Sequence, residues 1–331
     1  MDRISVANLA RGQSITSTFL AQKIQIRQKR TGEDYLFLIL SDRTGQVPAV
    51  MWDHLTPEIR ALADGDVVKI QGLFGTYQGE PQLTVSRLRK VSEDDINWCD
   101  YLPSSSADPA ESLRAITAVA GTICDPHLHT LLGLVLGDPD LRHQLLAAPA
   151  ASSMHHATLG GLLEHTASVV TLCDVFARHY PVLNRDLLLS AAILHDLGKL
   201  RELRWDRVFD YTDAGRLIGH IILGLSMIER FRCTIADFPE ALALQLIHCV
   251  LAHHGELEWG SPKQPMTPEA LALHMADNLD AKMGMLLSFA EQAPDPQHPG
   301  WTQFHKSLGR YLLVAPPTPE IQRAAASASA R

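Results

Sequence analysis

The sequence lacks several features that would assign it to a common class of protein. None of its apolar runs reaches the roughly 18 residues of a membrane span, and its start, which includes Asp2, has no long apolar core typical of a secretion signal. Its five cysteines are odd in number and form no CxxC pair, which indicates reduced thiols rather than a disulfide framework. We therefore expect a cytoplasmic protein without a membrane segment.

Basic residues are in the minority, and their distribution is uneven. The chain carries 29 Lys and Arg against 37 Asp and Glu, a net charge of −8 that argues weakly against a nucleic-acid partner. Residues 1–90, however, contain 12 Lys and Arg and 9 Asp and Glu, and so carry +3. Because a local basic surface matters more to a polyanion than the total charge, this part, with Lys23 and Arg27 close together, is the candidate polyanion surface.

The first ninety residues have the pattern of short strands separated by turns. Strands are expected at 14–28, 35–40, 47–52, 67–73 and 82–88. A short helix is expected at 57–63, between the third and fourth strands. Five strands with a helix in this place indicate an OB barrel, although the pattern alone is also compatible with another small barrel. The turn SDRTGQV at 41–47 resembles the OB-fold family that includes nucleic-acid-binding modules.

A helical period dominates from about Ser112 onward. Helices are expected at 111–122, 127–137, 139–147, 159–180, 186–197, 214–231, 238–254 and 267–290. Asp186 is the expected N-cap of the fifth helix and Gly198 its expected stop, while 200–213 should be irregular or a short hairpin.

The predicted fold is therefore multidomain, with an all-β barrel followed by an all-α domain. The barrel is expected at 1–92, a polar linker with Pro103 and Pro109 at 93–110, and the helical domain at 111–315, with its core at 150–290. The low-complexity end at 316–331 is expected to be disordered.

Histidine is unusually concentrated in the helical part. Seven of the histidines found within residues 155–254 are candidates for a site, namely His155, His156, His165, His195, His220, His253 and His254. The adjacent His195-Asp196 pair ends a predicted helix and can offer an imidazole and a carboxylate to one cation. His165 and Asp277 lie on apolar helices, where a buried polar group needs a cation or several hydrogen-bond partners.

Any one of these histidines taken singly is more often a hydrogen-bonded core residue. Together with the two aspartates they indicate a site for one or two divalent ions, with Asp196 as the natural bridge and His220, His253 and His254 supplying the second ion. Imidazole and carboxylate without thiolate suit Mn, Fe, Co, Ni or Zn. Asp280 is an alternative to Asp277 as a ligand, but its i+3 spacing indicates that it supports the site from the same helix face. The other histidines, His274 among them, are expected in packing or on the surface.

The order of these residues resembles the HD superfamily of metal-dependent phosphohydrolases. His165, His195-Asp196 and Asp277 match the superfamily's ligands, and His220, His253 and His254 match the added ligands of its two-metal members. The stretches MHHATLGGLLEHT at 154–166, HHGELEWGSPKQP at 253–265 and WTQFHKSLGRYLL at 301–313 add to the likeness. With the OB-like barrel in front, nearly the whole chain is similar to the YhaM family of bacterial 3′-to-5′ exoribonucleases.

This resemblance implies a function and roles for further residues. The implied metal is Mn before Co, and the implied substrate is single-stranded RNA, with single-stranded DNA as an alternative. Lys199, in HDLGK, matches a lysine that meets a substrate phosphate and would act in catalysis with Asp196, although it could equally be a solvated cation at a helix end. His155 and His156 either contact the phosphate, complete the site or are loop histidines, and the family permits a homo-oligomer.

Two other classes of function are compatible with the same ligands. An HD-type phosphodiesterase or phosphohydrolase would act on cyclic dinucleotides or nucleotides, but no Gly-Tyr-Pro follows His253-His254-Gly255 here. A nucleic-acid-binding protein with an inactive HD domain is disfavoured by the intact ligand set.

Overall fold

A computed structural model gives the architecture of the chain. It describes residues 3–29, 31–77, 79–92, 95–102, 107–151, 158–205, 209–292, 295, 298, 300–305 and 308–313. The predicted tail at 316–331 and part of the predicted linker lie outside these ranges, so the proposed domain boundaries stay predictions.

The predicted OB barrel is confirmed. Its strands are β1 (Ser14–Gln28), β2 (Asp34–Asp42), β3 (Gly45–Met51), β4 (Val67–Tyr77) and β5 (Glu80–Lys90). They close a barrel in the order β1-β2-β3-β5-β4, in which β3 and β5 are parallel and the other neighbouring strands are antiparallel. The short helix α1 (Pro57–Arg60) lies between β3 and β4, the place that the sequence pattern indicates.

Alternation along the strands builds the barrel interior. On β2, Leu36, Leu38 and Leu40 are fully buried, and they meet Phe19 of β1 and Leu83 of β5 in one apolar cluster. Burying one face of each strand fixes its register, because a shift by one residue would turn that face to solvent.

The helical part has ten helices among the described residues. They are α2 (Pro109–Ala120), α3 (Pro126–Gly137), α4 (Pro139–Ala147), α5 (Gly161–His179), α6 (Arg185–Leu194), α7 (Lys199–Glu202), α8 (Asp213–Ile218), α9 (His220–Arg232), α10 (Glu240–Ala252) and α11 (Pro268–Gln292). A two-stranded hairpin of β6 (Leu203–Arg204) and β7 (Asp210–Tyr211) follows α7. Three of the helices begin with Asp-Pro, and the carboxylates of Asp108, Asp125 and Asp138 accept backbone N–H groups of the first turn.

Four helices form the frame on which the histidines are carried. Helices α5, α6, α10 and α11 pack on one another around Leu162, Val169, Leu188, Leu246 and Leu273, all of which are buried. A close-packed frame of this kind fixes the positions of the side chains at its helix ends to within small displacements.

Three local predictions on the helices are wrong. The N-cap of α6 is Asn184, whose side chain accepts from Leu187 N–H, whereas Asp186 accepts the N–H groups of Cys124 and Asp125 at another helix start. Helix α6 ends at Leu194, so His195-Asp196 lie on the turn after it rather than within it.

The third wrong prediction is the single helix at 214–231. This segment forms two helices, because Gly219, at φ +79°, breaks the helical conformation between α8 and α9. This left-handed backbone conformation favours glycine.

The predicted linker contributes to packing. Tyr101 and Leu102 are buried with Leu20 and Val67 of the barrel, and the Tyr101 hydroxyl contacts Thr18 Oγ1 at 2.8 Å. Among the described helices, none combines the length and apolar character needed to cross a membrane.

Candidate metal centre

The first group of donors comes from helices α5 and α11 and from the turn after α6. His165 Nε2 lies 3.2 Å from Asp277 Oδ1 and 3.3 Å from His195 Nε2. One ligand atom from each of these three residues lies within 4.8 Å of the others. The two histidines are buried and Asp277 is half-buried, so the three atoms face one small volume inside the helical frame.

The second group comes from the start of α9 and the end of α10. His220, His253 and His254 again bring one ring nitrogen each within 4.8 Å of one another. The rings of His253 and His254 stand nearly perpendicular, with centroids 4.5 Å apart, which is how two adjacent residues can face the same point.

Asp196 lies between the two groups and divides its oxygens between them. Its Oδ2 is 3.4 Å from His165 Nε2 and 3.3 Å from His195 Nε2. Its Oδ1 is 3.5 Å from His220 Nε2 and 3.7 Å from His253 Nε2. A carboxylate with one oxygen toward each group has the geometry needed to be shared by two cations.

Three buried atoms at this point have the chemistry and placement to hold a metal ion. Asp196 Oδ1, His220 Nε2 and His253 Nε2 have no hydrogen-bond partner among the residues that the structure describes. Leaving such groups buried and unpaired is costly, about 1–3 kcal/mol each and more for a charged group. Because Asp196 Oδ1 lies 3.5 Å from His220 Nε2 and 3.7 Å from His253 Nε2, a cation between them would satisfy all three atoms together.

Backbone carbonyls orient three of the imidazoles. The Nδ1–H groups of His195, His253 and His254 donate to the carbonyls of Ala192, Val250 and Trp259 at 2.8, 2.7 and 2.9 Å. Since Nδ1 carries the proton in each case, Nε2 keeps its lone pair for the centre.

Carboxylates orient the other two imidazoles. His165 Nδ1 donates to Asp280 Oδ2 at 2.7 Å, and Asp280 also accepts from the Ser168 hydroxyl. His220 Nδ1 donates to Glu202 Oε1 at 3.0 Å, and the backbone N–H of His220 donates to the same oxygen. Carboxylate–histidine pairs of this kind fix the ring and increase its basicity toward a metal.

The electrostatic potential at the first group of donors is strongly negative. Burial lowers the pKa of His165, but hydrogen bonds to Asp196, Asp277 and Asp280 outweigh it and raise that pKa well above its usual value. A negative potential that favours a proton on His165 also favours a divalent cation in place of that proton.

Two imidazoles of the second group have lowered pKa values by contrast. Burial, together with the neighbouring His195 and His254, lowers the pKa of His253 well below its usual value, and burial lowers that of His254 as well. Neutral imidazoles are the form that binds metal, so His253 and His254 are prepared for a cation.

Lys199 borders the centre. Its Nζ lies 2.7 Å from Asp196 Oδ2; the Lys199 side chain is half-buried and that of Asp196 is buried. Burial lowers the pKa of Lys199, but the charge of Asp196 outweighs it and raises that pKa, so Lys199 stays cationic. Lys199 also lines a cavity of about 280 Å³ that opens beside His165, His254 and Asp277.

The structure brings all seven predicted ligands together, but not every predicted site residue. His155 and His156 lie outside the described residues. Lys23 and Arg27 are exposed on β1 of the barrel, where the Arg27 guanidinium stacks on Phe37 at 3.8 Å.

Two features beside the centre were not predicted from the sequence. Glu202 gives no signal there, because it touches His220 only through the tertiary fold. His274 is buried, in agreement with its predicted packing role, but it also lines the cavity, which its i−3 spacing from Asp277 on α11 could have indicated.

Comparisons with known proteins agree with this division of the chain. Residues 23–91 match the model of an OB-fold nucleic acid binding domain, and residues 162–282 match the HD domain. The protein named 3′-5′ exoribonuclease YhaM of Bacillus subtilis (strain 168) is 36% identical over 257 residues, which are 77% of this chain and 81% of that protein. The namesake from Halalkalibacterium halodurans is 34% identical over 279 residues, 83% of this chain and 85% of that protein.

A closed OB barrel followed by a helical domain with paired histidine–aspartate groups defines a two-domain protein of the HD class. Within that class, the identity and coverage of the relatives are decisive. The chain belongs to the YhaM family of 3′-5′ exoribonucleases.

Proposed function

We propose that this protein is a metal-dependent 3′-to-5′ exoribonuclease that removes 5′-mononucleotides from single-stranded RNA, with single-stranded DNA as a secondary substrate. Its named relatives are 3′-5′ exoribonucleases and span more than three quarters of the chain. The observation that carries the chemistry is the convergence of Asp196 Oδ1, His220 Nε2 and His253 Nε2, three buried atoms without a hydrogen-bond partner in the described part of the chain.

The donors divide into two ligand sets. His165, His195, Asp277 and Asp196 Oδ2 would hold one ion, and His220, His253, His254 and Asp196 Oδ1 the other. Divalent ions bound there would polarise a phosphoryl oxygen, and they would lower the pKa of a bound water molecule toward neutrality. Mn is the metal we propose, with Co, Fe, Ni and Zn as alternatives that the same imidazole and carboxylate donors can bind.

Lys199 supplies a fixed positive charge to the reacting phosphate. It is held against Asp196 at 2.7 Å and keeps its proton, so it can stabilise negative charge that develops on the phosphoryl oxygens. Water adds across the terminal phosphodiester, the 3′-oxygen of the shortened RNA takes the proton, and the phosphate leaves on the 5′-mononucleotide. Asp196 and Lys199 are thus the proposed catalytic pair, and His155 and His156 stay candidates for phosphate contacts.

The barrel is the proposed guide for the RNA chain. Lys23 and Arg27 are exposed on β1, and Trp52, directly after β3, lies against Tyr35 of β2 with ring centroids 4.8 Å apart. Single-stranded nucleic acids bind OB folds through cations at the phosphates and aromatic rings at the bases.

The cellular location and the oligomeric state are also part of the proposal. Free thiols on the surface, Cys124 and Cys233, favour a reducing compartment, which supports the cytoplasm as the location. An exposed apolar row along α11 supports a homo-oligomer; its members are Leu271, Met275, Leu279, Met283 and Leu287.

One assay separates the proposed activity from its rivals. The protein is incubated with Mn²⁺ and, in parallel, with 5′-labelled single-stranded RNA, a cyclic dinucleotide and a nucleoside triphosphate. A ladder of shortening RNA supports the proposal. Turnover of the small molecules alone would favour an HD-type phosphodiesterase or phosphohydrolase, and RNA binding without any turnover would favour an inactive HD domain.

A further inference from the structure

We propose that Trp259 forms a nucleobase subsite in which the base of the RNA's 3′-terminal nucleotide stacks beside the metal centre. The inference rests on the proposed function and deepens it, since it assigns the part of the protein that holds the nucleotide to be removed. It follows from the cavity of about 280 Å³, one side of which is formed by His165, His254 and Asp277 and another by Trp259.

Trp259 is placed as a platform rather than as a core residue. Trp259 is 51% exposed although it lines a cavity together with the ionisable groups of His165, Lys199 and Asp277. Its backbone is held in place, because its carbonyl accepts the Nδ1–H of His254 at 2.9 Å. Trp259 is therefore hydrogen-bonded to His254, one of the proposed metal ligands.

Helix α11 supplies the rest of the subsite. His274, Asn278 and Ala281 line the cavity together with Asp277, because spacings of three and four residues fall on one helix face. Asn278 lies next to Asp277 and offers an amide donor and acceptor for a base edge or a ribose hydroxyl. Lys282, one turn beyond Asn278, holds its Nζ 5.4 Å from the centre of the Trp259 ring, where it adds positive charge.

The wall behind the ring is rigid. His274 is only 4% exposed, its Nδ1–H donates to the His253 carbonyl at 2.9 Å, and its ring centroid lies 6.0 Å from that of Trp259. Gly255 permits this packing, since a Cβ there would lie 2.2 Å from the His274 ring. A half-exposed Trp259 beside this fixed wall loses little conformational freedom when a base stacks on it.

Size and chemistry favour one nucleoside as the occupant. The volume of about 280 Å³ is at the small end of ligand pockets, which suits a single nucleotide unit. Stacking on an aromatic face is tolerant of sequence, because every base has a π-face. An exonuclease that advances along RNA needs such a subsite, since each terminal base in turn must occupy it.

A thermodynamic cycle tests the subsite with the full chain and Mn²⁺. The substrates are a 5′-labelled RNA and the same RNA with an abasic 3′-terminal nucleotide, and the variants are Trp259→Ala and Trp259→Phe. In the unmodified protein, loss of the terminal base should raise KM roughly 5- to 100-fold. In Trp259→Ala the KM for intact RNA should rise by a similar factor, and removal of the base should then have little further effect.

The controls separate stacking from general damage. Trp259→Phe should keep most of the dependence on the base, and Trp301→Ala, whose indole is similarly exposed at 43% in another part of the chain, should behave as the unmodified protein. Calorimetric titration with 5′-AMP and with ribose 5-phosphate should show that Trp259→Ala loses the preference for AMP. An undiminished dependence on the base in Trp259→Ala, with RNA still degraded, would overturn the subsite alone, whereas no degradation of RNA by the unmodified protein would overturn the proposed function and the subsite with it.

Discussion

At the scale of single residues, the account depends most on Asp196. Its side chain faces both donor groups, with Oδ2 toward His165 and His195 and Oδ1 toward His220 and His253. Burial raises the pKa of Asp196, but Lys199 and His195 outweigh it and hold that pKa well below its usual value, so the carboxylate is charged. A charged, shared carboxylate is what a pair of cations requires.

Replacement of Asp196 by Asn should therefore separate catalysis from RNA binding. The amide keeps the shape of the side chain but removes its charge, so RNA hydrolysis should fall by roughly a hundredfold or more while RNA affinity stays nearly unchanged. Hydrolysis rates and fluorescence anisotropy with labelled RNA measure the two effects. Equal loss of both in a variant with an unchanged circular dichroism spectrum would contradict the assignment of RNA binding to the barrel.

The support of His220 by Glu202 gives a second residue-scale prediction. Glu202→Gln should weaken Mn²⁺ binding at the second donor group roughly 10- to 100-fold, because the hydrogen bond that orients His220 loses its charge. Calorimetric titration with Mn²⁺ measures this, with Glu240→Gln at the exposed start of α10 as the matched control. If Glu202→Gln and Glu240→Gln bound Mn²⁺ with the same affinities, Glu202 would have no orienting role.

Residue types were predictable here to the extent that chemistry is local. Seven ligands could be selected from the sequence, because His and Asp on apolar helices need partners. Glu202 could not, since its contact with His220 depends on how α7 packs on α9. Asp186 was assigned as a cap of its own helix, yet its carboxylate accepts from Cys124 and Asp125, a contact 61 and 62 residues distant.

At the scale of elements, the centre depends on how the turn after α6 approaches α9. A Cβ at Gly198 would lie 1.9 Å from the His220 carbonyl oxygen and 2.4 Å from Gly224 N, so only glycine allows this contact. The turn that carries His195 and Asp196 and the helix that carries His220 are thereby held at backbone contact.

Gly198→Ala should push these two elements apart. We expect a loss of about 1–3 kcal/mol in the free energy of unfolding from overpacking against backbone, together with weaker Mn²⁺ binding. Gly133→Ala on the exposed side of α3 is the control, since a Cβ there has nothing within 4 Å and should raise stability by about 0.5–1 kcal/mol. Urea denaturation measures both, and equal stability of the two variants would refute the close contact.

The break between α8 and α9 shows why element boundaries were the weaker part of the sequence prediction. The apolar period continues through Leu217 and Ile218, so the pattern alone favours one helix at 214–231. The tertiary fold instead ends α8 before Gly219 and starts α9 at His220, whose N–H then meets Glu202. Existence and type of most elements followed from periodicity, whereas this boundary is set by the site.

At the scale of the whole molecule, the two parts have opposite charge. Residues 1–90 carry +3 while the chain as a whole carries −8, so the basic character is confined to the barrel. This division fits a barrel that holds a polyanion and an acidic helical part that holds cations.

The division predicts how RNA affinity responds to salt. Lys23→Gln combined with Arg27→Gln should weaken RNA binding and reduce the slope of log K against log salt by about 1.4, since each lost contact to a single strand removes about 0.7. Anisotropy titrations between low and moderate salt measure the slope, with Arg142→Gln on the exposed face of α4 as control. An unchanged slope in the double variant would move the RNA path away from β1.

The claim that two divalent ions share Asp196 is tested most directly by anomalous X-ray scattering from crystals grown with Mn²⁺. The account predicts two peaks roughly 3.5–4 Å apart. One should lie among His165, His195 and Asp277 and the other among His220, His253 and His254, with a carboxylate oxygen of Asp196 at each. A map with no peak at either donor group would contradict the account. A single peak that Asp196 does not touch would contradict it as well.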